Sequence, residues 1–330
     1  MVNRVLLSRR DVVVGGVSTL LMLGAKRGGA MPTKWDSIEQ VNHRFPVNDS
    51  KVYSDYLEHY RILLPKDCQH FGGFIDTGEH RIFTQSFLGP VPKGNILLLH
   101  GYLDHSGLWG NWISELLIDG WNVCTIDLPG HGLSDGRRGH IDDFSIYQKM
   151  LDDILPYFVN DDLPLSMIGH STGAAIIAEA VLRGVAISKS IFIAPLLKIR
   201  LGNLIGASTA ILPSWLSISP GVYPRTTNPE FFEMRKADPL RAGKISMGWL
   251  KAAAQWRKRI QSKKSDASSV LLLQGDKDTV VDAKYNMVGY NQIFPHLEIQ
   301  TFVNGRHHLL NDAEQIRRPV RDRIINFLNA

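Results

Sequence analysis

Leu165-Ser166-Met167-Ile168-Gly169-His170-Ser171-Thr172-Gly173-Ala174-Ala175-Ile176-Ile177-Ala178 joins a short apolar run to a segment rich in alanine and isoleucine, through a serine held between two glycines. The first run has the length of a buried strand and the second the composition of a helix. A sharp strand-to-helix turn between them exposes the hydroxyl of Ser171. Such a turn is strained and its neighbours crowd it, so residues without side-chain bulk are needed on either side. The helix that starts there also aims unpaired N–H groups at the space above the serine. The plain alternative is a helix N-cap. The paired glycines with a flanking strand and helix argue instead for an exposed nucleophile.

The rest of the chain carries the same alternation. Residues 95–99, Asn-Ile-Leu-Leu-Leu, form a continuous apolar run suited to a strand buried on both faces. Helical patterns follow at 108–117, 147–158 and 174–182, and apolar strand-like runs at 123–126, 165–168 and 190–194. This predicts the α/β class, a mostly parallel sheet flanked by helices. Upstream, an irregular arm from Met31 holds a short helix around 53–60. Ile75 and Ile82-Phe83 then flank a turn as two strands. The alternation stops at Pro195. It resumes at 270–274 and 297–302 and ends in a helix from about Arg318, so residues 196–264 read as an inserted helical cap.

The first thirty residues read as an export signal. Ser8-Arg9-Arg10-Asp11 precedes an apolar run from Val12 to Ala25, followed by Lys26-Arg27-Gly28-Gly29-Ala30. The run is too short for a standard membrane span, and the paired arginines resemble a twin-arginine signal. The expected location is the bacterial periplasm, with an uncleaved anchor as the alternative. Four of the chain's five net positive charges belong to this leader, which sets Arg4, Arg9, Arg10, Lys26 and Arg27 against Asp11. The remainder is nearly neutral and gives no support for a nucleic-acid partner. Cys68 and Cys124 lack metal-site spacing and are too few for a disulfide scaffold.

A serine nucleophile needs a base, and the base an orienting acid. Gly275-Asp276-Lys277-Asp278-Thr279-Val280-Val281 follows one late strand, and Gly305-Arg306-His307-His308-Leu309-Leu310 follows the other. In a parallel sheet the carboxyl ends of strands gather at one edge, so these distant turns can converge on Ser171. Asp276, Asp278 and Asp282 all compete for the acid, and His307 and His308 for the base.

The chain resembles the monoacylglycerol lipase and lysophospholipase branch of the α/β-hydrolase fold, which also holds serine aminopeptidase-like proteins. The likeness rests on the turn around Ser171, on His100-Gly101-Tyr102-Leu103-Asp104-His105-Ser106-Gly107, on Asp127-Leu128-Pro129-Gly130-His131-Gly132-Leu133-Ser134, on Ala237-Asp238-Pro239-Leu240, and on the two late turns. It implies Ser171 as nucleophile, Asp278 as acid and His307 as base, within an α/β-hydrolase domain at 31–330. It also implies an oxyanion hole made by the backbone N–H groups of Tyr102 and Thr172. His100, His105, His131 and His170 read as hydrogen-bonding loop residues, without metal-ligand spacing. Neither a metal nor a cofactor is expected.

The substrate implied is a carboxylic ester of a small molecule or lipid, a monoacylglycerol or lysophospholipid, cleaved through an acyl-enzyme. An aminopeptidase or amidase on the same scaffold is the enzymatic rival, and a non-catalytic binding protein the rival from another class. Between Leu197 and Lys264 stand thirteen Lys and Arg residues against Glu230, Glu233 and Asp238. If 249–260 is helical, Trp249, Ala253, Trp256 and Ile260 share one face, with Lys251 and Lys258 opposite. Two readings stay open: a helix lying on an anionic membrane surface, and core aromatics beneath a solvated basic face.

Overall fold

The computed structural model describes residues 50–158, 163–200, 212–219 and 224–330. The export-signal reading of residues 1–30 and part of the expected cap therefore lie outside the described residues. Lys51–His59 (α1) precedes a hairpin of Gln69–Asp76 (β1) and Arg81–Leu88 (β2), with Ile75 opposite Ile82. Then come Asn95–Leu99 (β3), Gly110–Ile118 (α2), Asn122–Ile126 (β4), Ser145–Phe158 (α3), Leu165–His170 (β5), Thr172–Leu182 (α4) and Lys189–Ile193 (β6). Ser217–Ile218 (β7), Pro229–Ala237 (α5), Ile245–Ser246 (β8) and Met247–Ile260 (α6) follow. The chain ends with Val270–Gly275 (β9), Ala283–Ile293 (α7), Glu298–Phe302 (β10) and Glu314–Asn329 (α8). No helix among the described residues is long and apolar enough to cross a membrane.

Eight strands form one sheet in the order β1-β2-β4-β3-β5-β6-β9-β10. The β1–β2 and β2–β4 pairs are antiparallel and the remaining pairs parallel. The unbroken apolar runs are explained by burial on both faces. Leu97 and Leu99 point into a core shared with α3, α4, α6 and α7. Ile96 and Leu98 point into the other, shared with α1, α2 and α8. The same two-residue pleat divides Val270 and Leu272 from Leu271 and Leu273. Cys68 and Cys124 are both buried.

Strands β6 and β9 are direct neighbours, so everything between them leaves the sheet. Its described part holds a small antiparallel pair, β7 with β8, and helices α5 and α6. Asn228 caps α5 and Ser246 caps α6, each accepting two backbone N–H bonds in the first turn. Helix α6 turns its aromatic face inward: Trp249 and Trp256 are 2% and 1% exposed. Trp249 stacks on Tyr102 at 3.7 Å, and Trp256 Nε1 donates to Glu179 at 2.9 Å. That face is core, and the lipid-facing reading of it gives way. The final helix also begins one turn earlier than expected, at Glu314, with Pro319 inside it.

Candidate active site

Ser171 sits between the end of β5 and the first residue of α4, with φ 53° and ψ −106°. That is a left-handed conformation a side-chain-bearing residue rarely holds, and the surroundings impose it. The Ser171 N–H donates to the Ile193 carbonyl at 2.9 Å, and its carbonyl accepts from Leu196 at 3.1 Å and Ala175 at 3.2 Å. A Cβ at position 173 would overlap the Leu99 carbonyl, so only glycine lets α4 start this close to β3. Gly173→Ala is therefore expected to lower the melting temperature by roughly 5 °C, the scale of an overpacked buried site. An unchanged thermal midpoint would show that β3 and α4 can separate without cost.

The two late turns meet behind the serine. A Cβ on Gly275 would overlap the Gly305 carbonyl, and this close approach brings Asp278 beside His307. His307 Nδ1 lies 2.8 Å from Asp278 Oδ2. The other carboxylate oxygen accepts from the N–H groups of Val280 at 2.7 Å and Val281 at 3.1 Å. Gln274 Nε2 adds a donor to Oδ2 at 3.0 Å. Burial alone would raise the Asp278 carboxyl. The His307 imidazole and the two backbone N–H groups outweigh it and hold the carboxylate below its ordinary range. A carboxylate that accepts from Nδ1 fixes the imidazole tautomer and leaves Nε2 as the basic nitrogen.

The three competing carboxylates have separate places. Asp276 is exposed beside Lys277, and Asp282 caps α7 through the N–H of Tyr285 at 3.3 Å. Only Asp278 is buried against an imidazole of the histidine turn at hydrogen-bond distance. His308 points elsewhere, with Nδ1 3.8 Å from Asp104 and its ring edge-on to Phe231. Burial drives its pKa well below the ordinary value. His170 donates from Nε2 to the His307 carbonyl at 3.0 Å. Burial, with the nearby His307 charge, pushes its imidazole down to about 3. Imidazoles with pKa values so depressed are weak proton acceptors, and neither is oriented by Asp278.

Two backbone N–H groups lie beside the serine without an acceptor among the described residues, those of Tyr102 and Thr172. Thr172 opens α4, where an N–H has no partner within the helix. Tyr102 follows Gly101, where a Cβ would stand 3.3 Å from that of Ser171. The Tyr102 hydroxyl donates to the Gly139 carbonyl at 2.7 Å and accepts from Ser246 N–H at 2.9 Å, which ties this loop to the start of α6. Amides so placed can receive negative charge developing on a carbonyl oxygen held over Ser171.

Ser171, Tyr102 and His307 line one cavity of about 1040 Å³. Leu103, Leu196, Ile218, Ile245, Trp249 and Leu250 give it apolar walls, five of them from the segment expected as a cap. Sequence reasoning missed Gln274, although a buried amide ending an otherwise apolar strand was a usable signal. It also missed a buried cluster: Asp104, His170 and His308 offer ligand atoms within 4.8 Å of one another. The Arg235 guanidinium, with Nη2 2.6 Å from Asp104, already neutralises the one anion there, so the donor set suits a cation poorly.

Comparison with known proteins agrees with this architecture. A family model described as serine aminopeptidase, S33, matches residues 90–314. Over 240 residues the chain is 24% identical to a monoacylglycerol lipase of Mycolicibacterium smegmatis, covering 68% of this chain and 84% of that one. A phospholipase of Bacillus subtilis is 25% identical, with 68% and 91% covered. The crystal structure of a Paleococcus ferrophilus monoacylglycerol lipase superposes with a TM-score of 0.63 at 24% identity, covering 74% of this chain and 99% of that one. A soluble variant of Saccharomyces cerevisiae monoglyceride lipase gives a TM-score of 0.68 at 17% identity, with 80% and 97% covered.

Proposed function

Because this chain belongs to the serine aminopeptidase S33 family of α/β hydrolases, we propose that it hydrolyses the carboxylic ester of a monoacyl lipid, with Ser171 as nucleophile, His307 as general base and acid, and Asp278 as orienting carboxylate. The observation that carries the reading is the shared cavity. A serine in a strained strand-to-helix turn and an imidazole locked onto a buried carboxylate line the same largely apolar space. Its volume stands at the upper end of the roughly 300–1,000 Å³ common for small-molecule sites, room enough for an acyl chain.

In this mechanism His307 Nε2 takes the Ser171 proton as Oγ attacks the ester carbonyl. The tetrahedral oxyanion is received by the N–H groups of Tyr102 and Thr172, each worth roughly 3–4 kcal/mol in comparable sites. Collapse breaks the acyl C–O bond, and His307 returns the proton to the departing alcohol. Water, activated by the same imidazole, then releases the acid and restores the serine. The aminopeptidase alternative needs carboxylates to hold a substrate ammonium. Of the two that line the cavity, Asp104 is paired with Arg235 and Asp276 neighbours Lys277.

A hydrolysis panel tests the proposal, comparing monoacylglycerols, lysophospholipids, short p-nitrophenyl esters and aminoacyl amides. Monoacyl esters are expected to give the highest kcat/KM. Faster turnover of aminoacyl amides would replace this reading with the peptidase one. No turnover and no fluorophosphonate labelling would leave a non-catalytic binding protein.

A further inference from the structure

Five cationic side chains line the cavity around Ser171: Arg200, Arg225, Arg235, Lys277 and Arg306. Two have carboxylates, with Arg235 2.6 Å from Asp104 and Lys277 3.8 Å from Asp276. The other three have none at ion-pair distance among the described residues. Arg200 Nη1 donates to the Asp278 carbonyl at 3.0 Å, and Arg306 Nη1 to the Pro224 carbonyl at 2.9 Å. The half-buried guanidinium of Arg225 makes no hydrogen bond or ion pair among the described residues. Burial, reinforced by the Arg235 charge, lowers its pKa to about 10. A guanidinium carries five donors and keeps its charge at any working pH. Leaving such a group partly desolvated and unpaired is costly, and an incoming anion removes that cost.

The position of these arginines says which part of a substrate would meet them. Arg306 directly precedes His307, and the Arg225 carbonyl accepts from the His308 N–H at 3.0 Å. Asp312, fully buried, clamps the same two segments. One of its carboxylate oxygens accepts from the hydroxyls of Thr226 and Thr227 and from the Thr227 N–H, and the other from the Arg306 N–H at 2.9 Å. Arg225 and Arg306 are therefore mounted on the histidine turn. The imidazole must reach the leaving oxygen to protonate it, so groups fixed around it face the alcohol half of the ester.

We propose that Arg225 and Arg306 bind an anionic group carried on the leaving alcohol, so that a phosphate- or carboxylate-bearing monoacyl ester is preferred over its neutral counterpart. This rests on the ester-hydrolase reading above. The acyl C–O bond breaks and the acyl group passes to Ser171 Oγ and then to water. The alcohol departs with the proton from His307 and with its anionic group intact. Arg forks and anion oxygens form short charge-assisted bonds.

The test compares kcat/KM for 1-lauroylglycerol 3-phosphate, 1-lauroylglycerate and neutral 1-lauroylglycerol, each below its aggregation threshold. The full chain should prefer an anionic ester, the phosphate and glycerate arms showing which anion fits better. The anionic-to-neutral ratio should fall roughly tenfold or more in Arg225→Gln and in Arg306→Gln, the size of one lost charge-assisted bond. Lys258→Gln, which removes an exposed α6 cation, should leave the ratio unchanged. A second measurement needs no variant: glycerol 3-phosphate or glycerate should competitively inhibit p-nitrophenyl butyrate hydrolysis where glycerol does not. A wild-type ratio at or below one for both anions, or a ratio indifferent to both arginine substitutions, would overturn the proposal, as would failure of both anions to inhibit. A preference for p-nitrophenyl hemisuccinate over the butyrate would move the anion to the acyl side and overturn it too. Absence of turnover on every ester would instead sink the hydrolase reading itself.

Discussion

Ser171→Ala is expected to abolish fluorophosphonate labelling and to lower kcat about 10⁶-fold, the loss seen when a triad serine is removed from a protease of this logic. The backbone N–H groups of Tyr102 and Thr172 would remain, so a residual rate of roughly 10³–10⁴ over water should survive. The KM should change little, because a hydroxyl contributes little to holding an acyl chain. Undiminished ester turnover in the purified variant would place the nucleophile elsewhere.

Asp278→Asn should cost about 10⁴ in kcat near pH 7, because an amide can offer an N–H to Nδ1 and stabilise the wrong imidazole tautomer. The same change has a pH signature in stability. The native carboxyl is held below its ordinary range by His307 and by the Val280 and Val281 N–H groups. Its contribution is therefore complete above the unfolded pKa of about 3.9, and it is lost as pH falls through the lower native value. Denaturant unfolding of wild type and Asp278→Asn should show a gap that is constant at neutral pH and narrows below about pH 4. A gap that widens in acid would mean that Asp278 is protonated in the native protein. Asp276→Asn, on the exposed side of the same turn, should change neither quantity appreciably.

Elements that announce themselves locally were legible. The strands at 95–99, 122–126, 165–170, 189–193 and 270–275 are short, mainly apolar runs because sheet packing on both faces favours them. Helix α7 was not legible. Its sequence, Ala-Lys-Tyr-Asn-Met-Val-Gly-Tyr-Asn-Gln-Ile, carries a glycine and two asparagines. What stabilises it is tertiary: Asn286 is fully buried, accepting from Lys198 N–H at 2.9 Å and donating to the Pro195 carbonyl at 2.9 Å. Gly289 makes room for Leu197. Helix α6 shows a different limit. An amphipathic pattern is the same whether its apolar face meets lipid or protein, and only the packing of Trp249 on Tyr102 decides between them.

By itself the sequence determined the α/β class, the order of the principal sheet strands, and the turns that hold a serine, an acid and a histidine. Those features depend on periodicity and on turn chemistry, which are local. Only the tertiary structure decided which of three aspartates lies against which of two histidines, because that depends on Gly275 and Gly305 letting two strand ends touch. It alone decided that Arg235 meets Asp104 across 131 residues while Arg225 has no carboxylate at ion-pair distance among the described residues. A charge count records how many arginines a segment holds. Whether each is neutralised depends on distances that the order of residues along the chain does not contain.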